Sequence, residues 1–89
     1  MMRANPNFEL INIDDDYMLV PVGEQMDRFN GAVVLNEVSS FIFERLKKEM
    51  TEEDIVKSLI NEYEIDSITA KSDVQEVISK LKMLGIIYE

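Results

Sequence analysis

The order of hydrophobic patterns predicts an α+β fold in which a small antiparallel sheet comes first and three helices follow. Two observations carry that prediction. Upstream of Asn36 the apolar residues fall in short runs broken by polar turns, and downstream they recur at helical spacing. The junction itself, Gly31 to Leu46 (GAVVLNEVSSFIFERL), passes directly from a β-branched run into a helical stripe. The chain has 89 residues and 46% hydrophobic content. That suits one domain around one core, because so short a chain buries only roughly 60 to 65% of its unfolded surface.

Residues 1–7 carry no pattern and are expected to form a disordered N-terminus. Phe8 to Ile13 (FELINI) then sets Phe8, Leu10 and Asn12 against Glu9, Ile11 and Ile13, an imperfect strand alternation. Asp14-Asp15-Asp16 reads as a polar turn, and Tyr17 to Val22 (YMLVPV) as the returning strand of a hairpin. Pro21 has no N–H for a ladder, which places it at a strand end or an edge. Gly23 to Asn30 is a polar connection, after which Ala32 to Leu35 completes a three-stranded sheet.

The helices are marked more strongly. Asn36 offers a side-chain oxygen where the first helix, about Glu37 to Lys48, begins, with Val38, Phe41, Ile42 and Leu46 on one face and Phe43 outside it. Thr51 caps the second, whose first-turn acids Glu52, Glu53 and Asp54 suit the positive end of the helix dipole. Ile55, Val56, Leu59, Ile60 and Tyr63 form its apolar face. The third helix is expected to start near Thr69 or Ala70, with Ser67 or Thr69 as its cap. It carries Val74, Val77, Ile78, Leu81 and Leu84, and stops at Gly85. Ile86 to Tyr88 is left as a short extended tail.

Composition narrows the function. A net charge of −9, with nine Lys and Arg against eighteen acids, argues against a surface that neutralises phosphates, and so against nucleic acid and anionic lipid as partners. With neither cysteine nor histidine, a disulfide framework is impossible and the commonest zinc ligands are missing. No apolar run approaches the ~20 residues of a membrane span, and no signal-peptide pattern opens the chain, so a cytoplasmic location is the expectation.

Residues that suggest chemistry have plainer explanations. Asp14 to Asp16 lack the alternating ligands, central glycine and distant glutamate of a calcium loop. Ser39 and Ser40 have no histidine base and no nucleophile elbow. The glycines at 23, 31 and 85 are too scattered to cradle a phosphate. Asp66-Ser67-Ile68 is like the attachment serine of acyl carrier proteins, but its position late in the chain, after strands, suits a helix entry better. No cofactor and no enzymatic activity are expected.

The order FELINI, YMLVPVG, GAVVLNEVSSFIFERL, TEEDIVKSLINEYEID and SDVQEVISKLKMLGI resembles the PqqD family, whose members act as recognition elements for ribosomally made, post-translationally modified peptides. The resemblance runs from about Phe8 to Ile87. It is strongest at Gly31 to Glu37, at Thr51 with Ile55-Val56 and Tyr63, and at Asp73-Val74 with Leu81 and Gly85-Ile86. Ser39 stands where the family often has glycine and Phe43 where it often has tryptophan. The resemblance implies a winged-helix-like module, a three-stranded antiparallel sheet packed on a three-helix bundle, in a single domain over residues 1–89. It implies a non-catalytic adaptor that binds the leader segment of a precursor peptide and presents it to a modifying enzyme, often a radical SAM protein. The leader would add as a strand beside Ala32, Val33, Val34 and Leu35, with Asp73, Val77, Lys80, Leu81 and Leu84 forming a helical wall.

Magnitudes agree with a cleft of that kind. About four ladder hydrogen bonds at ~1 kcal/mol net give only millimolar binding. Micromolar affinity then needs two or three buried leader side chains at ~1.5 to 3 kcal/mol each. Excess acid favours a leader carrying Lys or Arg. A winged-helix DNA-binding protein is the alternative reading, although it requires a basic face. An open strand edge also admits a homodimer.

Overall fold

In the computed structural model, which describes residues 1–89, five strands and three α-helices follow in the order β1 (Arg3–Ala4), β2 (Phe8–Ile13), β3 (Asp16–Pro21), β4 (Val33–Leu35), α1 (Glu37–Arg45), α2 (Glu52–Tyr63), α3 (Ser67–Met83) and β5 (Ile87–Tyr88). Strands β2, β3 and β4 form the antiparallel sheet with β3 in the centre. The β2–β3 hairpin turns at Asp14, whose φ of 55° lies in the left-handed region that a short polar side chain tolerates. Pro21 ends β3 opposite Phe8, as its missing N–H requires. The polar connection after it contains a short 3₁₀ turn, Gly23–Asp27, and Phe29 beyond that turn packs edge-on against Phe8 at 5.1 Å.

Side-chain caps set the helix starts. Asn36 accepts from the Ser39 N–H at 2.8 Å and Thr51 from the Asp54 N–H at 3.1 Å, as the sequence predicts. The third helix begins at Ser67, earlier than expected. Its cap is Asp66, which accepts from the Thr69 N–H at 2.8 Å and from the Thr69 hydroxyl at 2.9 Å; Ser67 and Thr69 are helical residues. Helix α1 ends at Arg45 rather than Lys48, because Leu46 turns out of the helix and its carbonyl accepts from Ala4. Glu64, at φ 51°, closes α2 in a left-handed conformation.

Two expectations about the core are corrected together. Residues 1–7 are not disordered: Met2 is buried and its N–H and C=O exchange hydrogen bonds with Met50 at 2.9 and 3.0 Å. Ala4 donates to Leu46 and Asn5 to Ile86, each at 2.7 Å. Strand β1 pairs with β5 through Arg3 opposite Tyr88 and Ala4 opposite Ile87, so the C-terminal segment, expected as a short extended tail, is extended and forms half of a second sheet. This arm covers a flank of α1 that the sequence reading treats as outside the apolar stripe. Phe43 therefore lies fully buried, beside Ala4, Pro6, Phe8 and Val22. Ile42, Leu46, Ile55, Leu59, Val74 and Leu81 complete the centre of the core, joined from the sheet by Leu19 and Leu35. No helix is long and apolar enough to cross a membrane.

Candidate peptide-binding cleft

Strand β4 pairs with β3 on one flank and has no strand on the other. Which of its backbone groups face the open flank follows from the phase of the hairpin. In an antiparallel pair, residues alternate between those that exchange hydrogen bonds with their opposite and those that do not. The Val22 N–H donates to the Asn7 carbonyl at 2.8 Å, which makes Asn7 and Val22 a bonded pair. Counting along the register, Glu9 with Val20, Ile11 with Met18 and Ile13 with Asp16 are bonded as well. Tyr17 and Leu19 consequently turn their backbone groups toward β4, where they meet Leu35 and Val33. The N–H and C=O of Val34 point away from the sheet, toward the open flank.

The side chains alternate in the same way. Val33 is half-buried and Leu35 buried on the core face, whereas Val34 stands on the outer face at 68% exposure.

Between this edge and α3 lies an open cleft of about 570 Å³. Val33, Val34 and Leu35 form one side, and Asp73, Val77, Lys80, Leu81 and Leu84 line the other, so eight of the nine residues expected at the site converge there. Ala32 does not: it precedes the strand and does not line the cleft. The wall is uneven in depth. Leu81 is 1% exposed and serves as floor, Val77 is half-buried, and Leu84 reaches the mouth at 39% exposure. The sequence reading misses Asn36, Val38 and Ser39, which close one end through the first turn of α1, and the rim residues Glu76 and Met83. Glu76 and Met83 each follow an expected residue, Asp73 and Lys80, at helical i+3 spacing, a signal that would have found them.

Strand and helix run in opposite directions along the cleft. Leu35 leads through Asn36 into α1, whose Phe41 packs at 5.6 Å against Tyr63, the last residue of α2 before the turn into α3. At the other end, beyond the Val33–Leu19 pair, Asn7 donates to Asn5 at 2.9 Å and Asn5 donates to the Gly85 carbonyl at 3.1 Å. The start of α3 thus lies toward the Leu35 end of the strand and Gly85 toward the Val33 end, so that Asp73 lies on the Asn36 side of the cleft and Leu84 on the Val33 side. The two ion pairs of the molecule, Lys47–Glu44 and Lys82–Glu89, lie elsewhere, leaving Asp73, Glu76 and Lys80 free to meet a ligand.

The family model for coenzyme PQQ synthesis protein D (PqqD) matches residues 15–87, the greater part of the chain. The chain belongs to the PqqD family. No curated protein sequence matches this PqqD-family chain. Among solved structures, it is similar to TbiB1 in complex with the TbiA(β) leader peptide, with a TM-score of 0.76 and 21% identity over 98% of both chains. It is also similar to lasso peptide synthetase B1 complexed with the leader peptide, with a TM-score of 0.74 and 23% identity over 99% of this chain and 98% of that one. A third likeness, to the E. coli microcin synthetase McbBCD complex, has a TM-score of 0.54 and 22% identity and covers 29% of the longer chain. At these identities the comparisons establish a shared fold, an antiparallel three-stranded sheet with three helices.

Proposed function

We propose that this protein is a non-catalytic adaptor that binds the leader segment of a ribosomally synthesised precursor peptide by strand addition to β4. It then presents the rest of the precursor to a modifying enzyme, with a radical SAM protein as the first candidate, in the cytoplasm. One observation carries the reading: the Val34 N–H and C=O are directed into an apolar cleft that no segment of the chain fills. Unpaired edge groups of this kind are the attachment points for an added strand, and alternate side-chain pockets supply specificity. That the fold of TbiB1 and of lasso peptide synthetase B1, each seen with a leader peptide, is the fold of this chain supports it.

The energetics assign the larger part of the affinity to the cleft. Val34 offers one donor and one acceptor, and the flanking Ala32 and Asn36 extend the ladder only slightly, so main-chain bonds at ~1 kcal/mol each leave binding weak. Leader side chains buried against Val77, Leu81 and Leu84 supply the remainder at ~1.5 to 3 kcal/mol apiece.

The test is titration of the synthetic leader segment of a candidate ribosomal precursor peptide against the wild-type chain and Val34→Pro. Proline removes the outward N–H and leaves the Val33 and Leu35 bonds to β3 in place. Binding is expected to weaken by at least tenfold while circular dichroism stays that of the folded protein. A folded Val34→Pro protein with unchanged affinity overturns strand addition.

A further inference from the structure

We infer that the cleft selects a five-residue extended segment whose first, third and fifth side chains, read from the Asp73 end, are basic, apolar and apolar. The inference rests on the peptide-binding reading above and specifies the chemistry of the peptide.

Three features of the cleft give the pattern. The first is its length. From Asp73 to Leu84 the wall covers about 16 Å at ~1.5 Å per residue of helix, and a strand rising ~3.3 Å per residue crosses that distance in about five residues.

The second is alternation. A residue opposite Val34 shares its side-chain direction, which is outward and 68% exposed. The peptide residues on either side of it take the direction of Val33 and Leu35, toward α3. Alternate peptide side chains thus face the wall, and those between them face solvent. This holds whether the peptide runs parallel or antiparallel to β4.

The third is the order of groups along the wall. Asp73 is half-buried and unpaired at the end closed by Asn36 and Ser39. Val77 and Leu81 hold the middle, and Leu84 with Met83 the far end. A cation at the first inward position meets the Asp73 carboxylate, with Glu76 one helical turn along the rim. An acid there meets like charge in a chain whose net charge is already −9. Lys80 sits on the exposed rim beside the middle of the cleft, where its ammonium group reaches solvent and leaves the apolar floor to the third position. The two apolar positions match the one stretch of the wall, Val77 to Leu84, that carries no acid.

The experiment is selection of a phage-displayed random dodecapeptide library on the immobilised full chain, repeated on Asp73→Lys and Val34→Pro. The expected result is enrichment of sequences with Lys or Arg separated by one residue from the first of two apolar residues that are themselves one residue apart, read in either chain direction. Synthetic peptides carrying that motif are expected to lose about three- to tenfold in affinity when the basic residue becomes glutamate. On Asp73→Lys the preference is expected to reverse. Enriched sequences that lack the alternation, or whose charge preference is the same on wild type and Asp73→Lys, overturn the inference while leaving peptide binding standing. Failure to enrich any sequence on the wild type over Val34→Pro removes the peptide-binding reading itself.

Discussion

Two short β segments of this protein meet opposite fates. Strand β5 is covered on its pairing flank by β1, and its Ile87 and the preceding Ile86 are buried, held by Asn5, which donates to both the Ile86 and the Gly85 carbonyls. Strand β4, equally apolar and only three residues long, keeps one flank open, with Val34 exposed beside the cleft. The difference separates stapling from recruitment. One edge is closed by the chain's own N-terminus and spends its hydrogen bonds on stability. The other is paired with β3 on one flank only, and its Val34 N–H and C=O are the groups that the proposed guest strand would take up.

Substitutions at the two edges are therefore expected to act on different observables. The largest effect is expected at the closed edge: Ile86→Ala removes a fully buried side chain and should cost about 2 to 5 kcal/mol of stability in urea denaturation. Val34→Thr at the open edge, with its side chain in solvent, should lie within ~0.5 kcal/mol of wild type in the same measurement. Equal losses at the two positions would break the comparison. A smaller effect is expected on the wall: Val77→Ala should weaken leader binding by about tenfold, in line with ~1 to 1.5 kcal/mol of lost burial, as read by titration calorimetry.

The mildest test concerns the end of the molecule where α1 meets α2. Tyr63 packs edge-on against Phe41 at 5.6 Å, and burial, followed by the neighbouring Glu37 carboxylate, pushes its phenol up to about 12. The folded state thus favours the neutral phenol more than the unfolded chain does. That contribution is fully present below pH 10 and is lost as pH rises from 10 toward 12. Tyr63→Phe should flatten the loss of stability over that interval, measured by denaturation at stepped pH, and leave leader binding at neutral pH unchanged.

Much of this architecture is legible in the residues, and what is not has a physical reason. Strand β2 occupies Phe8–Ile13 as its alternation indicates, and Asn36 and Thr51 cap the helices they precede. Periodicity also locates the wall, since Asp73, Val77, Leu81 and Leu84 share one face of α3. The N-terminal arm was not legible. A strand of two residues such as β1 has no period, and the arm's hydrogen bonds, from Ala4 to Leu46 and from Asn5 to Ile86, go far along the chain. Phe43 follows from that omission, because the arm supplies the second apolar surface that buries it. Helix α3 starts at Ser67, ahead of the expected Thr69 or Ala70, because Asp66, Ser67 and Thr69 are all residue types that cap, and only the geometry of the Asp66 carboxylate with Thr69 decides among them. Nor does the sequence reveal that Val34, rather than Val33 or Leu35, carries the outward groups. That depends on the phase of a hairpin set by Asn7 and Val22, in another part of the sheet.

That phase can be measured directly. Residue-resolved amide hydrogen exchange on the full chain, with and without a saturating leader peptide, reads the Val33, Val34 and Leu35 N–H groups separately. The Val33 and Leu35 amides should already be protected in the free protein, with the Val34 amide exchanging readily and slowing at least tenfold when peptide is bound. A bound peptide that leaves Val34 exchange untouched would contradict strand addition at β4.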